Sequence, residues 1–419
     1  MSDFVVEQAE GAQPGAAAPW RRWSRAFDYH NALTCTAFTN AIWIVYLAGH
    51  GYSPLALGLL EMLFHVAKFA TEVPTGIFAD MLGRRKSLIV YSALLAFEQL
   101  LFLWPTPPLI ILSFALSGTA YAFRGGSSEA ILWQIAGHAE PEQQARRYSR
   151  LVSRMYLVAL IGEIAGTASG GLLGNLLTIL PFILRGLFTL VGIIPLFFLP
   201  EQKIAAHERT SPLRHLGRSV RAVWRSPALV GLLLISGLVD SCWQTIYYFY
   251  QLYLHGLGLS VALIGVVVAA STATNFAFTA LTPRIMRWLK EAWLLPIFVG
   301  SEVLGLALMS QPQAWLSLFG YLICLQASVA VLDPAISTYI NQRAPEAQRA
   351  TVLSLQTGLF SAAMIVLFPL FGLGVTALSY NLVYLLTLLA LAVGAAGTGL
   401  LVLWLRVKHR TGAPVEEEK

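Results

Sequence analysis

The run LALGLLEMLFHVAKFATEVPTGIFADMLGRRK, residues 55–86, carries two signals at once. Its first part is an apolar helix interrupted by Glu61, His65, Lys68 and Glu72 at spacings of four, three and four, so these residues share one narrow helical face. Its second part, from Gly76 through Asp80 and Gly83, ends abruptly in the basic cluster Arg84-Arg85-Lys86. Charge inside a membrane-length apolar helix is costly, and such residues face a bundle interior or an aqueous cavity. A soluble amphipathic helix is the alternative, and it needs a polar chain around it.

The surrounding chain is not polar. Of 419 residues, 56% are hydrophobic and 12% charged, against roughly 25% charged in soluble proteins. Apolar segments of the ~20 residues needed to cross a bilayer fall at about 27–48, 55–79, 87–104, 109–131, 151–174 and 178–199. Six more fall at about 228–253, 261–283, 292–310, 314–335, 350–373 and 378–405. The expected fold is therefore an all-α polytopic membrane protein with twelve transmembrane helices in two pseudo-symmetric six-helix bundles, 27–199 and 228–405. A cytoplasmic linker, 200–227, joins them, and tails 1–26 and 406–419 flank them. Within the linker, basic and apolar residues of 211–225 alternate at helical spacing, which suits a short interfacial helix on anionic lipid or a solvated linker helix. Met1 to Pro19 has no apolar core of a signal peptide and reads as a disordered tail.

Orientation follows from the basic residues. With the N-terminus inside, 25 of the 28 lysines and arginines fall on cytoplasmic segments, and opposite loops such as His50-Gly51-Tyr52 have none. The positive-inside rule places both termini in the cytoplasm. The net charge of +6 is thus a topology effect and not a nucleic-acid footprint. The remaining three, Lys68, Arg124 and Arg185, all lie within spans of the first half. An internal repeat supports two halves: Glu129, Pro141, Glu142 and Gln144 recur as Asp333, Pro345, Glu346 and Gln348 at a common offset of 204 residues.

Gly76, Asp80, Gly83, Arg84 and Arg85 match G-x-x-x-D-[RK]-x-G-[RK]-[RK], with Met81 in place of a basic residue. This resembles the loop between helices two and three of the major facilitator superfamily. The preceding Glu72-Val-Pro-Thr-Gly76 is similar to a run in its bacterial drug-exporter-like, proton-antiporter branch. The resemblance implies a conformational latch in which Asp80 faces the start of helix eleven and Arg84 pairs with an acid ending helix four, here Glu129. Gly162-x3-Gly166-Thr-Ala-Ser-Gly170-Gly171 resembles the antiporter motif of helix five, with Thr167 where proline is usual. Its small residues also suit a close helix pair in general.

Proton coupling requires a carboxylate whose surroundings alternate between water, substrate and an internal cation. Glu72, Asp240 and Glu163 are the candidates for it, from a wider set at span depth that includes Glu61, Glu98 and Glu302, and Arg124 in helix four resembles the buried arginine to which the superfamily's proton coupling is attributed. Glu61, His65, Lys68, Glu72, Trp243, Gln244 and Tyr247 are the candidate cavity wall. A static Lys68–Glu72 pair and a hydrogen-bonded buried Asp240 are the structural alternatives. Asp28 and Asp333 fit gates or caps better than binding.

HExxH, a P-loop, GxSxG and zinc-type Cys/His spacings are absent from the sequence, so an enzyme is not expected. Cys35, Cys242 and Cys324 lie in apolar segments and form neither a disulfide framework nor a metal site. The expected function is a secondary transporter working by alternating access, with proton-coupled export of a small amphipathic or cationic compound. The alternative is an anionic metabolite, siderophore or lipid as cargo, with a transport-dead sensor or a membrane enzyme further behind. Expected partners are the small-molecule substrate, protons and the lipid bilayer. No cofactor beyond the proton gradient and no nucleic acid is expected, for a monomer in a bacterial cytoplasmic membrane.

Overall fold

The computed structural model describes residues 19–137, 141–200, 223–224, 226–344 and 349–411, with no side-chain description for a few of these, Asp80 among them. The proposed interfacial helix of the linker, apart from residues 223–224, the tail before Pro19 and the Pro345–Gln348 repeat copy lie outside them. The described residues are helical with no strand. In chain order they form α1 (Pro19–Cys35), α2 (Trp43–Gly49), α3 (Pro54–Leu82), α4 (Arg84–Leu101), α5 (Pro107–Arg124), α6 (Ser127–Ala136), α7 (Pro141–Leu176) and α8 (Leu180–Val191). After the linker come α9 (Pro227–Gly256), α10 (Val261–Trp288), α11 (Glu291–Met309), α12 (Ala314–Phe319), α13 (Gln326–Arg343), α14 (Arg349–Ala377) and α15 (Tyr380–Thr411). A π turn, Gly320–Leu325, joins α12 to α13.

Among the described residues, ten helical stretches are long and apolar enough to cross a membrane. The other two expected spans are helical as well but fail that measure for visible reasons. The first is broken into α1 and α2, and α4 begins with Arg84-Arg85-Lys86. Local chemistry sets the boundaries. The Ser53 hydroxyl accepts from the Ala56 N–H at 3.2 Å and Pro54 follows at the first helical position, so α3 starts there. Gly83, at φ 100°, ends α3 and starts α4, and Gly126, at φ 67°, divides α5 from α6. A side chain at either would be strained.

Two features accompany the break between α1 and α2. Threonine hydroxyls turn back on the helix, Thr34 donating to His30 O at 2.8 Å and Thr36 to Ala32 O at 2.7 Å, which competes with the regular ladder. The freed backbone then lies against glycines of α7: a Cβ on Gly166 would overlap Ala37 N, and one on Gly170 would overlap Phe38 O.

Contacts between the parts of the chain before and after the linker gather at one end. There α3 packs on α14, with Gly58 against Phe368 and Pro369, and Gly372 against Pro54 and Leu55. Nearby α7 packs on α10, where a Cβ on Gly171 would come 2.6 Å from Gly265 Cα. The main apolar core runs through this end, uniting Ile42, Trp43 and Leu57 with Tyr250, Leu254 and Phe368. The opposite end carries the basic clusters. There the first part has its own small core around Phe27, Leu88, Ile131, Leu132 and Met155, with no residue from beyond the linker among the described residues.

Candidate functional site

A cavity of about 570 Å³ lies below the closed end, within the 300–1,000 Å³ typical of small-molecule sites. Its walls come from the α1–α2 break, from α3, α4, α5, α7 and α8, and from α9 with Phe360 of α14. The first part of the chain supplies all the charge: Glu61, Glu98 and Glu163 against Lys68, Arg124 and Arg185. The second part supplies Trp243, Gln244, Tyr247, Tyr248 and Phe360.

Most of the charged groups have partners of their own. Glu61 lies 3.8 Å from His65 Nε2, one helical turn away. Glu98 accepts from the Gln99 amide at 2.5 Å. The Arg185 guanidinium donates to Thr36 O at 2.6 Å, so a cation meets the C-terminal carbonyls of α1. Arg124 donates to Cys35 Sγ at 3.5 Å and lies over the Tyr91 ring at 5.6 Å. Aromatic edges frame the remaining space, with Trp43 packed at 5.4 Å on Phe114 and 5.3 Å on Tyr248, and Phe360 set 5.5 Å from the His65 ring.

Beside it lies a second cavity of about 360 Å³, which shares Trp243, Gln244 and Phe360 and adds Asp240, Asp333 and Gln356. Asp240 accepts from Ser236 at 2.9 Å, and Ser236 in turn accepts from Gln356 at 2.6 Å. Trp243 is held from behind, its indole N–H donating to Gln326 Oε1 at 3.1 Å. Gln326 donates at 3.3 Å to Tyr321 O, inside the π turn.

The residues expected at the site therefore fall in three places. Glu61, His65, Lys68, Glu163, Arg124, Trp243, Gln244 and Tyr247 line the larger cavity, and Asp240 lines its neighbour. Glu72 lines neither and is exposed. It shares the helical face of Glu61, but eleven residues at ~1.5 Å each carry it about 16 Å further along the axis, towards the basic end. Of the expected latch, Gly76 lies within α3, Gly83 forms the joint and Arg84 opens α4. Glu129 sits in the first turn of α6, which packs on α4. Arg85 donates to Leu199 O at 3.1 Å. The Asp80 side chain is outside the described residues, so its expected contact with helix eleven is too.

Sequence reading missed Asn40, Gln99 and Tyr121 in the cavity wall. Asn40 had a signal, the polar run Thr34, Thr36, Thr39, Asn40 inside an otherwise apolar span.

Comparison with known proteins gives the same architecture. The chain is 21% identical over 345 residues to the uncharacterized MFS-type transporter YxaM of Bacillus subtilis, a match covering 80% of this chain and 84% of YxaM. It is 26% identical over 270 residues to the efflux pump azaK of Aspergillus niger, covering 59% of this chain and 57% of that protein. Among solved structures, the nucleoside transporter NupG superposes with a TM-score of 0.74 at 15% identity, over 92% of this chain and 99% of that one. A bacterial homolog of the human lysosomal transporter Spinster, in an inward-facing and unoccupied conformation, superposes with a TM-score of 0.69 at 16% identity, over 97% and 100%. At these identities the structures speak for the fold alone. The family model of the Major Facilitator Superfamily matches residues 31–324, and the chain belongs to that superfamily of membrane transporters.

Proposed function

We propose that this protein is a proton-coupled secondary transporter that exports a small amphipathic or cationic organic compound by alternating access. The observation that carries the reading is the cavity: it lies between the two parts of the chain, is sealed at one end and is lined by ionisable groups. Proton coupling is favoured by carboxylates that share this space with fixed cations. A cationic or amphipathic cargo is favoured by charge and surface. The two adjoining cavities hold five carboxylates against Lys68, Arg124 and Arg185, and both arginines are already engaged with protein groups. Trp243, Tyr248 and Phe360 offer ring faces and edges to a cation or an apolar body.

On this reading the chain crosses the bilayer twelve times in two six-helix bundles, as a monomer in the bacterial cytoplasmic membrane with both termini inside. The sealed end is then external and the conformation inward-facing. The Gly76–Arg85 segment around the α3–α4 joint is the latch of the opposite, outward-facing state. Asp80→Asn is accordingly expected to slow transport about 10-fold, within the range of coupling energies between conformational elements, while membrane insertion is unchanged. Wild-type rates in that variant remove the latch from the account.

The functional test is proton flux in proteoliposomes with an internal pH dye, challenged with a panel of cationic and a panel of anionic compounds. Flux evoked by cations and lost in Asp240→Asn or Glu163→Gln supports the reading. Flux evoked only by anions, and lost in Lys68→Ala, replaces it with an anion carrier.

A further inference from the structure

We infer that Asn40, in the unwound segment of the first span, is the positioning residue through which Glu163 holds the sealed end of the cavity shut. The inference rests on the transporter reading above. Two hydrogen bonds that join the part of the chain before the linker to the part after it converge on this one residue. The Asn40 amide Nδ2 donates to the Tyr247 hydroxyl at 2.8 Å, and Gln251 Nε2 donates to Asn40 O at 3.1 Å. The same Nδ2 also donates to Glu163 Oε1 at 3.4 Å. One amide thus serves both a cavity carboxylate and a tie across the two parts.

The local fold makes this arrangement possible. In a continuous helix the Asn40 carbonyl would accept from a residue four positions on and would be closed to Gln251. The break frees it, and the α7 glycines that press on Ala37 and Phe38 hold the break in place. Glu163 lies on that same helix, one residue beyond Gly162, which packs on Cys35. The carboxylate, the break and the tie are therefore mechanically one unit.

The chemistry gives the unit two states. An ionised carboxylate only accepts hydrogen bonds, so it fixes the Asn40 amide with its N–H edge towards Glu163, and the second N–H is then aimed at Tyr247. A proton on Glu163, or a cationic group seated on it, removes that demand. The amide is free to turn, its N–H leaves Tyr247, and the tie loosens. The groups facing Glu163 across the cavity are Arg185 of α8, Arg124 of α5, Glu98 of α4 and the Glu61–His65–Lys68 face of α3, with Tyr247 and Tyr248 of α9. Occupancy of Glu163 sets the gate against this fixed background.

The test is a distance measurement across the sealed end by pulsed electron paramagnetic resonance. Spin labels are placed at Trp104→Cys and Leu257→Cys, both exposed there, on a full-length background with the three native cysteines replaced. In the otherwise unaltered protein, acidification is expected to add a longer-distance population. Asn40→Ala and Tyr247→Phe are each expected to reduce the pH response of the population ratio at least about fivefold, the low end of coupling between linked sites. Glu163→Gln is expected to show the longer distance at every pH. Tyr247→Phe removes one hydroxyl and keeps the test standing if Asn40→Ala does not fold. An unaltered pH response in Asn40→Ala and Tyr247→Phe overturns the role of Asn40 and leaves the transporter reading intact. A background protein whose distance never changes, with pH or with any compound active in the flux assay, overturns both.

Discussion

Proteoliposomes carrying Glu163→Gln are expected to lose proton-driven substrate accumulation by about 100-fold, towards the upper end of what coupling between linked sites carries. Glutamine keeps the size and the hydrogen-bonding oxygen of the side chain but cannot exchange a proton. Glu163 is singled out among the cavity acids by its neighbours. Glu61 faces His65 a turn away on its own helix, and Glu98 is held by adjacent Gln99. Glu163 alone of the three is bonded to a residue that also bonds across to the second part of the chain. On the proposed mechanism a proton there changes a contact between parts that move relative to one another, and that is what coupling requires. Wild-type accumulation in Glu163→Gln, with loss in Asp240→Asn instead, moves the coupling proton to the neighbouring cavity.

The second large effect is structural. Gly170→Ala is expected to cost about 3 kcal/mol, the upper part of the range for forcing a side chain into packed structure. The obstacle is the backbone of Phe38, which a new Cβ would overlap, and not a flexible side-chain tip. Gly76→Ala, also a helical glycine but with nothing within 4 Å of its ideal Cβ, should be neutral or slightly stabilising. Thermal unfolding of both variants in detergent, followed by tryptophan fluorescence, checks the pair. Equal midpoints for the two would mean that the α7 glycines do not hold the broken span. Because that break also presents Asn40 to the cavity, a milder version of this lesion should appear as lost coupling before it appears as lost protein.

Much of the architecture was legible in the chain because the bilayer imposes it. Spanning length, the segregation of basic residues and the helical stripe at Glu61, His65 and Lys68 follow from the cost of placing polar groups in hydrocarbon. Periodicity marks the stripe as a face but does not give its depth. Periodicity puts Glu72 on the same side as Glu61, yet only the tertiary arrangement decides where along the axis a cavity ends. The glycines of helix five announced close packing, but their partner could not be read from them. They meet an unwound piece of the first span, and unwinding leaves a weak trace in sequence, here a few threonines and one asparagine. Asp240 was visible as a lone acid in an apolar helix, while its place in a separate, adjoining cavity depends on how α9, α13 and α14 pack. The roles of Gln326 and Gln251 were not legible at all, since each is a polar residue whose partner lies far away in the chain.

On the proposed alternating-access mechanism, one cavity is reached from one side of the membrane at a time. The protein carries its own probe for this, because Cys35 lines the cavity while Cys242 and Cys324 are buried. Labelling by a membrane-impermeant maleimide should be compared in inside-out and right-side-out vesicles. Cys35 is expected to react from the cytoplasmic face in the resting protein. Reaction from the external face should appear only when a pH gradient or a transported compound drives the opposite state, with cytoplasmic labelling falling in step. Equal reaction from both faces at once, or external labelling that no gradient or compound changes, would contradict alternating access around this cavity.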